Sequence, residues 1–297
     1  NDGILLSELT GTCRVLGVDP ARNLSLLAKK RGVETLTAFF GENTAKRIQS
    51  TYGQARIIVA NNVFAHIHDI HDVMRGVVSL LTDDGVFVSE SHWVGNLTSE
   101  GGFDQIYHEH LSYYSLHALL ALASEHNLII TDVELVPIHG ASLRVYMQTK
   151  GKPSAAVTRL LAREKNLGLT TKHIFQDFGK KVRKNRTEVR AVLSRLRRGL
   201  KTIAGYGAPA KWNTLLNYFN IGRETLDFIT DTTPAKQGLY TPGMHIPIVS
   251  PDILASRPPD FLLLLAWNYT DAILKKEKNL RKRGVKFIIP VPKVKIV

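Results

Sequence analysis

Residues 14–19 read Arg-Val-Leu-Gly-Val-Asp, a short apolar run that ends on a carboxylate. Asp19-Pro20 follows, then a helical pattern from Ala21 to Arg31 that Gly32 stops. The alternation repeats along the chain. Glu34 to Phe40 is predicted as a strand, Thr44 to Tyr52 as a helix, and the β-branched run Ala55 to Ala60 as the next strand. A helix is predicted over Asp69 to Leu81, a turn at Asp83-Asp84-Gly85, and a strand at Val86 to Ser89. His117 to His126 reads as a helix. Leu128 to Leu135 and Ser142 to Gln148 read as strands joined by a turn at Pro137 to Gly140. Strands that alternate with helices of about ten residues predict an α/β parallel sheet. Two closing strands add an antiparallel edge to it.

A second unit follows. Residues 154–198 keep helical periodicity with few breakers and read as a connector. Thr202 to Gly205 is predicted as a strand, Trp212 to Phe219 as a helix, and Leu226 to Thr230, Phe261 to Ala266 and Lys286 to Pro290 as further strands. The expected organisation is an α/β domain over 1–150, a helical connector over 151–200 and a smaller Rossmann-like α/β domain over 201–297.

Composition narrows the class. The 297 residues are 44% hydrophobic and 22% charged, which excludes a disordered or fibrous chain. No apolar run approaches the ~18 residues of a membrane span. One cysteine, Cys13, excludes an internal disulfide framework or a thiolate zinc site. With no secretory signal pattern at residue 1, a cytoplasmic protein is expected. The net charge of +13 is concentrated. Residues 159–201 hold 14 Lys/Arg against 3 Asp/Glu, and 271–297 hold 9 against 2, so the remainder is net acidic. A basic segment fits either a solvated helix face or an electrostatic funnel for a phosphorylated ligand. Aromatic residues are scarce in 179–201, which argues against stacking on bases and hence against a nucleic-acid partner.

Four stretches can carry chemistry. Asp19 closes a strand at the place where a ribose diol is gripped in nucleotide-binding folds, or it caps the next helix. Asn1-Asp2-Gly3 lies 16 residues before Asp19, where a glycine turn lets the backbone approach a nucleotide. The strand expected before that turn is not in this sequence, so the chain is expected to be a fragment. Asn61, Asn62 and His66 follow the third strand, at the sheet edge where ligands bind in open α/β folds. His66 is there either a base or a loop histidine. Residues 103–114, Phe-Asp-Gln-Ile-Tyr-His-Glu-His-Leu-Ser-Tyr-Tyr, place Tyr107, His108, Glu109, His110 and Tyr113 within seven positions. This is poor metal spacing, because zincin histidines lie four apart on a helix. It suits proton transfer by histidine with a tyrosine donor for an oxyanion. Gly205 to Lys211, with Asp231, is either a phosphate-binding turn or a tight strand-to-helix turn.

FDQIYHEHLSYYSL resembles the central signature of the sugar C-methyltransferases that act on nucleotide-linked 4-keto-deoxyhexoses. The resemblance runs in order through NDG (the tail of the family's EIGSNDG turn), VLGVDPA, ANNVFAHI, DGVFVSE, HGASLRVY, GYGAPAKWNTLLNY, ITDTTPAKQGLYTPGMHIPI and KFIIPVP. It departs from the family at Trp212 and at His92-Trp93. It implies a Rossmann-like class I methyltransferase domain lacking its first strand, plus the smaller α/β domain. It also implies a zinc-binding N-terminal domain outside this chain. The implied methyl donor is S-adenosylmethionine and the implied substrate a nucleotide sugar. By that resemblance His110 is the base, Tyr107 and His66 steady the enolate oxygen or orient the sugar, and Glu109 tunes His110. Asp2, Gly3, Asp19, Phe39 or Phe40, and Asn61 hold the donor. Ser142, Arg144 and Lys211 meet the substrate, with no metal and with a monomer expected. The rivals are an O- or N-methyltransferase using the same donor, a non-catalytic nucleic-acid binder, and an NAD-linked oxidoreductase using the Gly205 turn.

Overall fold

The structure, a computed structural model, describes residues 1–136 and 142–297. The chain divides into two compact units. Asn1–Ser91, Leu116–Leu135 and Leu143–Leu161 make the first; His92–Ser115 and Ala162–Val297 make up most of the second. The segment 92–115, assigned by pattern to the first domain, therefore groups with the C-terminal residues.

In the first unit the order is α1 (Ile4–Ser7), β1 (Gly17–Val18), α2 (Arg22–Lys30), β2 (Thr35–Leu36), α3 (Glu42–Tyr52), β3 (Ala55–Asn61), α4 (Ile70–Leu80) and β4 (Leu81–His92). After α5 (Val94–Glu100), which groups with the second unit, come α6 (Leu116–Glu125), β5 (Ile129–Val136) and β6 (Ser142–Gln148). Strands β1 and β2 pair in parallel as a separate two-stranded sheet, and β3-β4-β6-β5 form a four-stranded sheet in which β3 and β4 are parallel. The predicted strands over 14–18 and 34–40 contract to two residues each, since only Gly17–Val18 and Thr35–Leu36 share a ladder. The predicted turn at Asp83-Asp84-Gly85 is corrected. Those residues lie inside β4, where Ala55 faces Leu81 but Ile57 faces Val86, so 82–85 loop out as an irregularity of one strand. The turn predicted over Pro137 to Gly140 lies outside the described residues.

Helix starts follow local chemistry. Asp69 caps α4 by accepting the Asp72 N–H at 2.9 Å, satisfying a donor that the first turn leaves free. In α3, Lys46 reaches back one turn to Glu42 at 2.7 Å. Helices α3 and α4 meet where a Cβ on Gly76 would lie 2.8 Å from the Gly41 backbone carbon, so that contact requires glycine.

The second unit contains the end of α7 (Ala155–Leu167), then α8 (Lys172–Arg198), β7 (Ile203–Tyr206), α9 (Trp212–Phe219), β8 (Ile229–Thr230) and β9 (Ile248–Val249). It continues with α10 (Ile253–Ser256), β10 (Phe261–Leu264), α11 (Thr270–Lys276), α12 (Lys278–Lys282), β11 (Lys286–Ile289) and β12 (Lys295–Ile296). The sheet order is β12-β11-β10-β7-β8-β9, parallel throughout except for the β11–β12 pair. Every residue of β10 is buried, as expected of a parallel strand covered on both faces. Ile203, Leu215, Leu216, Phe219, Ile229 and Leu263 anchor one core cluster, and Ala204, Leu262, Leu264 and Phe287 the other. Among the described residues no helix is long and apolar enough to cross a membrane.

Candidate active site

The segment 103–114 is tied down before it presents any chemistry. Its far end makes a parallel bridge, Trp93 with Tyr114, and the Val94 N–H donates to the Tyr114 carbonyl at 3.0 Å. Its near end is a 3-10 turn over Phe103–Gln105. Phe103 is buried and stacks on Phe219 of α9, ring centroids 5.0 Å apart. Thr214 Oγ1 donates to the Ile106 carbonyl at 3.2 Å. The intervening residues are thereby held on α9.

Tyr107 and His110 form a dyad on this support. Tyr107 Oη lies 3.2 Å from His110 Nε2, and His110 Nδ1 lies 3.1 Å from the Gln105 carbonyl oxygen. A carbonyl only accepts, so Nδ1 carries the proton and neutral His110 has its lone pair on Nε2. The Tyr107 hydroxyl then donates to that lone pair. Burial, followed by the charge of Glu109, pushes the Tyr107 phenol above its ordinary value, so it stays a donor at neutral pH. Tyr113 Oη donates to the same Gln105 carbonyl at 3.1 Å, and burial pushes its phenol up to about 12. Glu109, expected to tune His110, is exposed and its charge acts on Tyr107, while a main-chain oxygen holds the imidazole at Nδ1. His92, one of the departures from the family pattern, packs against His110 with ring centroids 5.2 Å apart.

Lys211 sits elsewhere than a diphosphate contact would suggest. Its ammonium lies 3.8 Å from Asp104 Oδ2 and 4.6 Å from the centroid of the Trp267 ring. Asp104 is 0% exposed and accepts the Trp267 indole N–H at 2.7 Å. Burial pushes the Asp104 carboxyl up and the Lys211 ammonium down, each against the pull of the other's charge. To meet a phosphate, Lys211 has to leave that carboxylate. The nearby Gly205–Lys211 turn is also internally satisfied. Asp231 accepts the Ala208 N–H at 2.6 Å and the Thr233 N–H at 2.8 Å, which puts a carboxylate where an anion would sit. That observation favours the tight-turn reading.

The remaining candidates belong to the first unit, except Ser142, which groups with the second. Gly3 adopts φ 80°, and a Cβ there would press on Ala28 at 3.0 Å, so the Asp2-Gly3 turn needs glycine. Asp2 pairs with Arg31 at 3.3 Å. Asp19, just past β1, accepts the Ala21 N–H at 2.8 Å and lies 2.7 Å from the Asn1 amino group. As a carboxylate just past a strand, Asp19 is an acceptor suited to a ribose diol. The turn and Asp19 are therefore brought together. Phe39 is 81% exposed and offers a free aromatic face, whereas Phe40 packs against the cluster of Ala45, Ile48 and Leu80 and is a core residue. Asn61 ends β3 opposite Glu90, and the following Asn62 N–H donates to the Glu90 carbonyl at 2.7 Å. His66, exposed, closes a 3-10 turn whose Phe64 and Ala65 are buried. Arg144 is engaged by Glu90, with Nε at 2.9 Å and Nη2 at 2.8 Å from one carboxylate oxygen, and its Nη1 lies 3.5 Å from Glu134. Ser142 is buried at the start of β6. The donor set for an adenosyl ligand, namely a glycine turn, an ionised carboxylate and an exposed aromatic ring, fits S-adenosylmethionine.

Sequence reasoning missed the Gln105 carbonyl, Asp104 and Trp267. Main-chain oxygens carry no letter, and Asp104 and Trp267 lie 163 residues apart.

Residues 1–133 match the methyltransferase domain family, and 137–292 match the family described as the C-methyltransferase C-terminal domain. The chain is 39% identical over 287 residues to the C-methyltransferase NovU of Streptomyces niveus, covering 96% of this chain and 68% of NovU. Solved structures similar to it include an S-adenosylmethionine-dependent methyltransferase from Anabaena variabilis (13% identity, TM-score 0.41, 50% of this chain and 74% of that one). Another is the O-methyltransferase of a Brevibacillus brevis trans-AT polyketide synthase in complex with S-adenosyl-L-homocysteine (13%, TM-score 0.36, 54% and 65%). By its match to the C-terminal family domain over more than half its length and its likeness to NovU, the chain belongs to the S-adenosylmethionine-dependent C-methyltransferases.

Proposed function

We propose that the chain methylates the carbon beside the ketone of a nucleotide-linked 4-keto-deoxysugar, with His110 as the base. The observation that carries this reading is the fixed tautomer of His110: Nδ1–H is held on the Gln105 carbonyl and the Nε2 lone pair faces the Tyr107 hydroxyl. A carbon acid needs a base that is unprotonated at the nitrogen facing it, and here the Tyr107 hydroxyl has to give up that lone pair to the substrate. In the proposed step His110 Nε2 takes the C–H proton and becomes imidazolium. The electron pair of the broken bond passes through the enolate to the ketone oxygen. The Tyr107 hydroxyl, released from Nε2 as that nitrogen gains its proton, donates to the enolate oxygen. S-adenosylmethionine supplies a methyl group made electrophilic by its sulfonium. With the donor bound, the enolate carbon would form the C–C bond as the donor's S–CH3 bond breaks with its electron pair going to sulfur, leaving S-adenosylhomocysteine; the ketone re-forms, and the proton on His110 leaves to solvent. Asp19 binds the donor's ribose hydroxyls, Asp2 and Gly3 form the turn beside it, and Phe39 lies against its adenine. Asn61 and His66, at the end of β3 and just beyond it, supply polar groups to the reacting end. Arg144, held by Glu90 and partly exposed, contributes to substrate binding from β6.

The test is solvent exchange. A 4-keto-deoxysugar nucleotide is incubated with the protein in deuterated water and S-adenosylhomocysteine. Deuterium at the carbon beside the ketone, lost in His110→Asn, is expected. Methylation that proceeds normally in His110→Asn overturns the assignment of the base.

A further inference from the structure

His71, the second residue of α4, faces the end of α6. Its Nδ1 lies 2.9 Å from Nε2 of His126 and 3.6 Å from Oε1 of Glu125. Among the described residues this is the grouping of three such donors, all within 4.8 Å of one another, that can hold a metal ion. It belongs entirely to the first unit and uses none of the residues placed at the methyl-transfer site.

We propose that His71, Glu125 and His126 form a binding site for a borderline divalent transition ion such as Zn²⁺, closed by water as a fourth ligand. Three features support it. The first is distance: two nitrogens bound to one tetrahedral zinc at its usual bond length stand about 3.3 Å apart, so the imidazoles need to separate by only a few tenths of an ångström. The carboxylate oxygen, 3.6 Å from the His71 nitrogen, needs a comparably small adjustment. The second is protonation. At 2.9 Å the two nitrogens share one proton at most, so one lone pair always points at its neighbour. The third is charge. Arg75 faces His126, but its guanidinium is matched by Glu42 at 3.0 Å and Asp72 at 3.2 Å, so Glu125 remains to balance the ion. Imidazole donors select zinc, nickel or copper over magnesium or calcium. A bound ion would tie the start of α4 to the end of α6.

The experiment is calorimetric titration with ZnCl₂ of the wild-type chain, His71→Asn, His126→Asn and Glu125→Gln near neutral pH. Loss of a directly bound ligand exceeds the cost of losing an outer partner, so each histidine variant is expected to lower Zn²⁺ affinity by at least about tenfold, with a smaller loss for Glu125→Gln. Nitrogen-15 chemical shifts of the wild-type rings give a second readout that needs no variant. Zn²⁺ should move His71 Nδ1 and His126 Nε2 while Mg²⁺ moves neither. Equal Zn²⁺ affinity and stoichiometry in all four proteins, or shifts confined to other histidines, overturns the site.

Discussion

The four-stranded sheet of the first unit and the six-stranded sheet of the second are built from similar apolar runs, yet they bury them differently. In β3, Ile57 is 65% exposed and Val59 44%, whereas β10 has no exposed residue. Among the described residues β3 pairs with β4 alone, and the β1–β2 pair stands apart from it; β10 is flanked by β7 and β11 and lies under two core clusters. An identical strand propensity thus has different weight according to what covers it. The second unit combines a closed core with the proposed base. The first combines an open strand with the residues proposed to hold the methyl donor.

Four substitutions and one control put that contrast under strain. His110→Asn removes the proposed base from the second unit, and turnover should fall by about 10²–10⁴-fold while S-adenosylhomocysteine binding stays unchanged by calorimetry. Asp104→Ala strands a buried ammonium in the second unit, and denaturant unfolding should register a loss of about 3–5 kcal/mol. A loss below ~1 kcal/mol would show that Lys211 turns out to solvent when its partner is gone. In the first unit, Asp19→Asn keeps the shape and removes the charge. S-adenosylhomocysteine affinity should drop roughly tenfold, about 1.4 kcal/mol, with little change in stability. Asp231→Asn adds a pH signature. Burial raises this carboxyl, but hydrogen bonds from Thr233 and Ala208 and the charge of Lys236 leave it below 3.8. A depressed carboxyl stabilises fully above its unfolded value and ceases to as pH falls through its folded value. The difference in Tm between wild type and Asp231→Asn should therefore be greatest near neutrality and close below pH 3.8. Ile57→Thr, on the open strand, should change stability by no more than ~0.5 kcal/mol, whereas a large loss would mean that β3 is covered in solution.

The long elements were legible because their patterns are strong. Ala55 to Ala60 became β3 with one residue added, Ser142 to Gln148 became β6 unchanged, and Trp212 to Phe219 became α9 unchanged. Short strands were not. β9 and β12 have two residues each and draw their place from neighbours far along the chain. Asp83-Asp84-Gly85 has turn chemistry, but the strand continues past it, so its local preference is spent on an outward loop rather than on a reversal. At the candidate site, Tyr107 and His110 were legible as acid/base groups within one seven-residue cluster, and their proposed roles came from the family resemblance. Lys211 was read as a cation for the substrate, and its pairing with Asp104 was not legible, because a pairing across 107 positions leaves no local trace. The same holds for His71 and His126, which lie 55 positions apart.

The oxygen that steers His110 belongs to the peptide unit of residue 105, and this changes what mutagenesis can reach. Any amino acid placed at 105 still carries that carbonyl, so exchanging the Gln105 side chain should spare the ring's tautomer. Loosening the imidazole requires altering the chain itself, as replacement of the following amide by an ester would do by making this acceptor weaker.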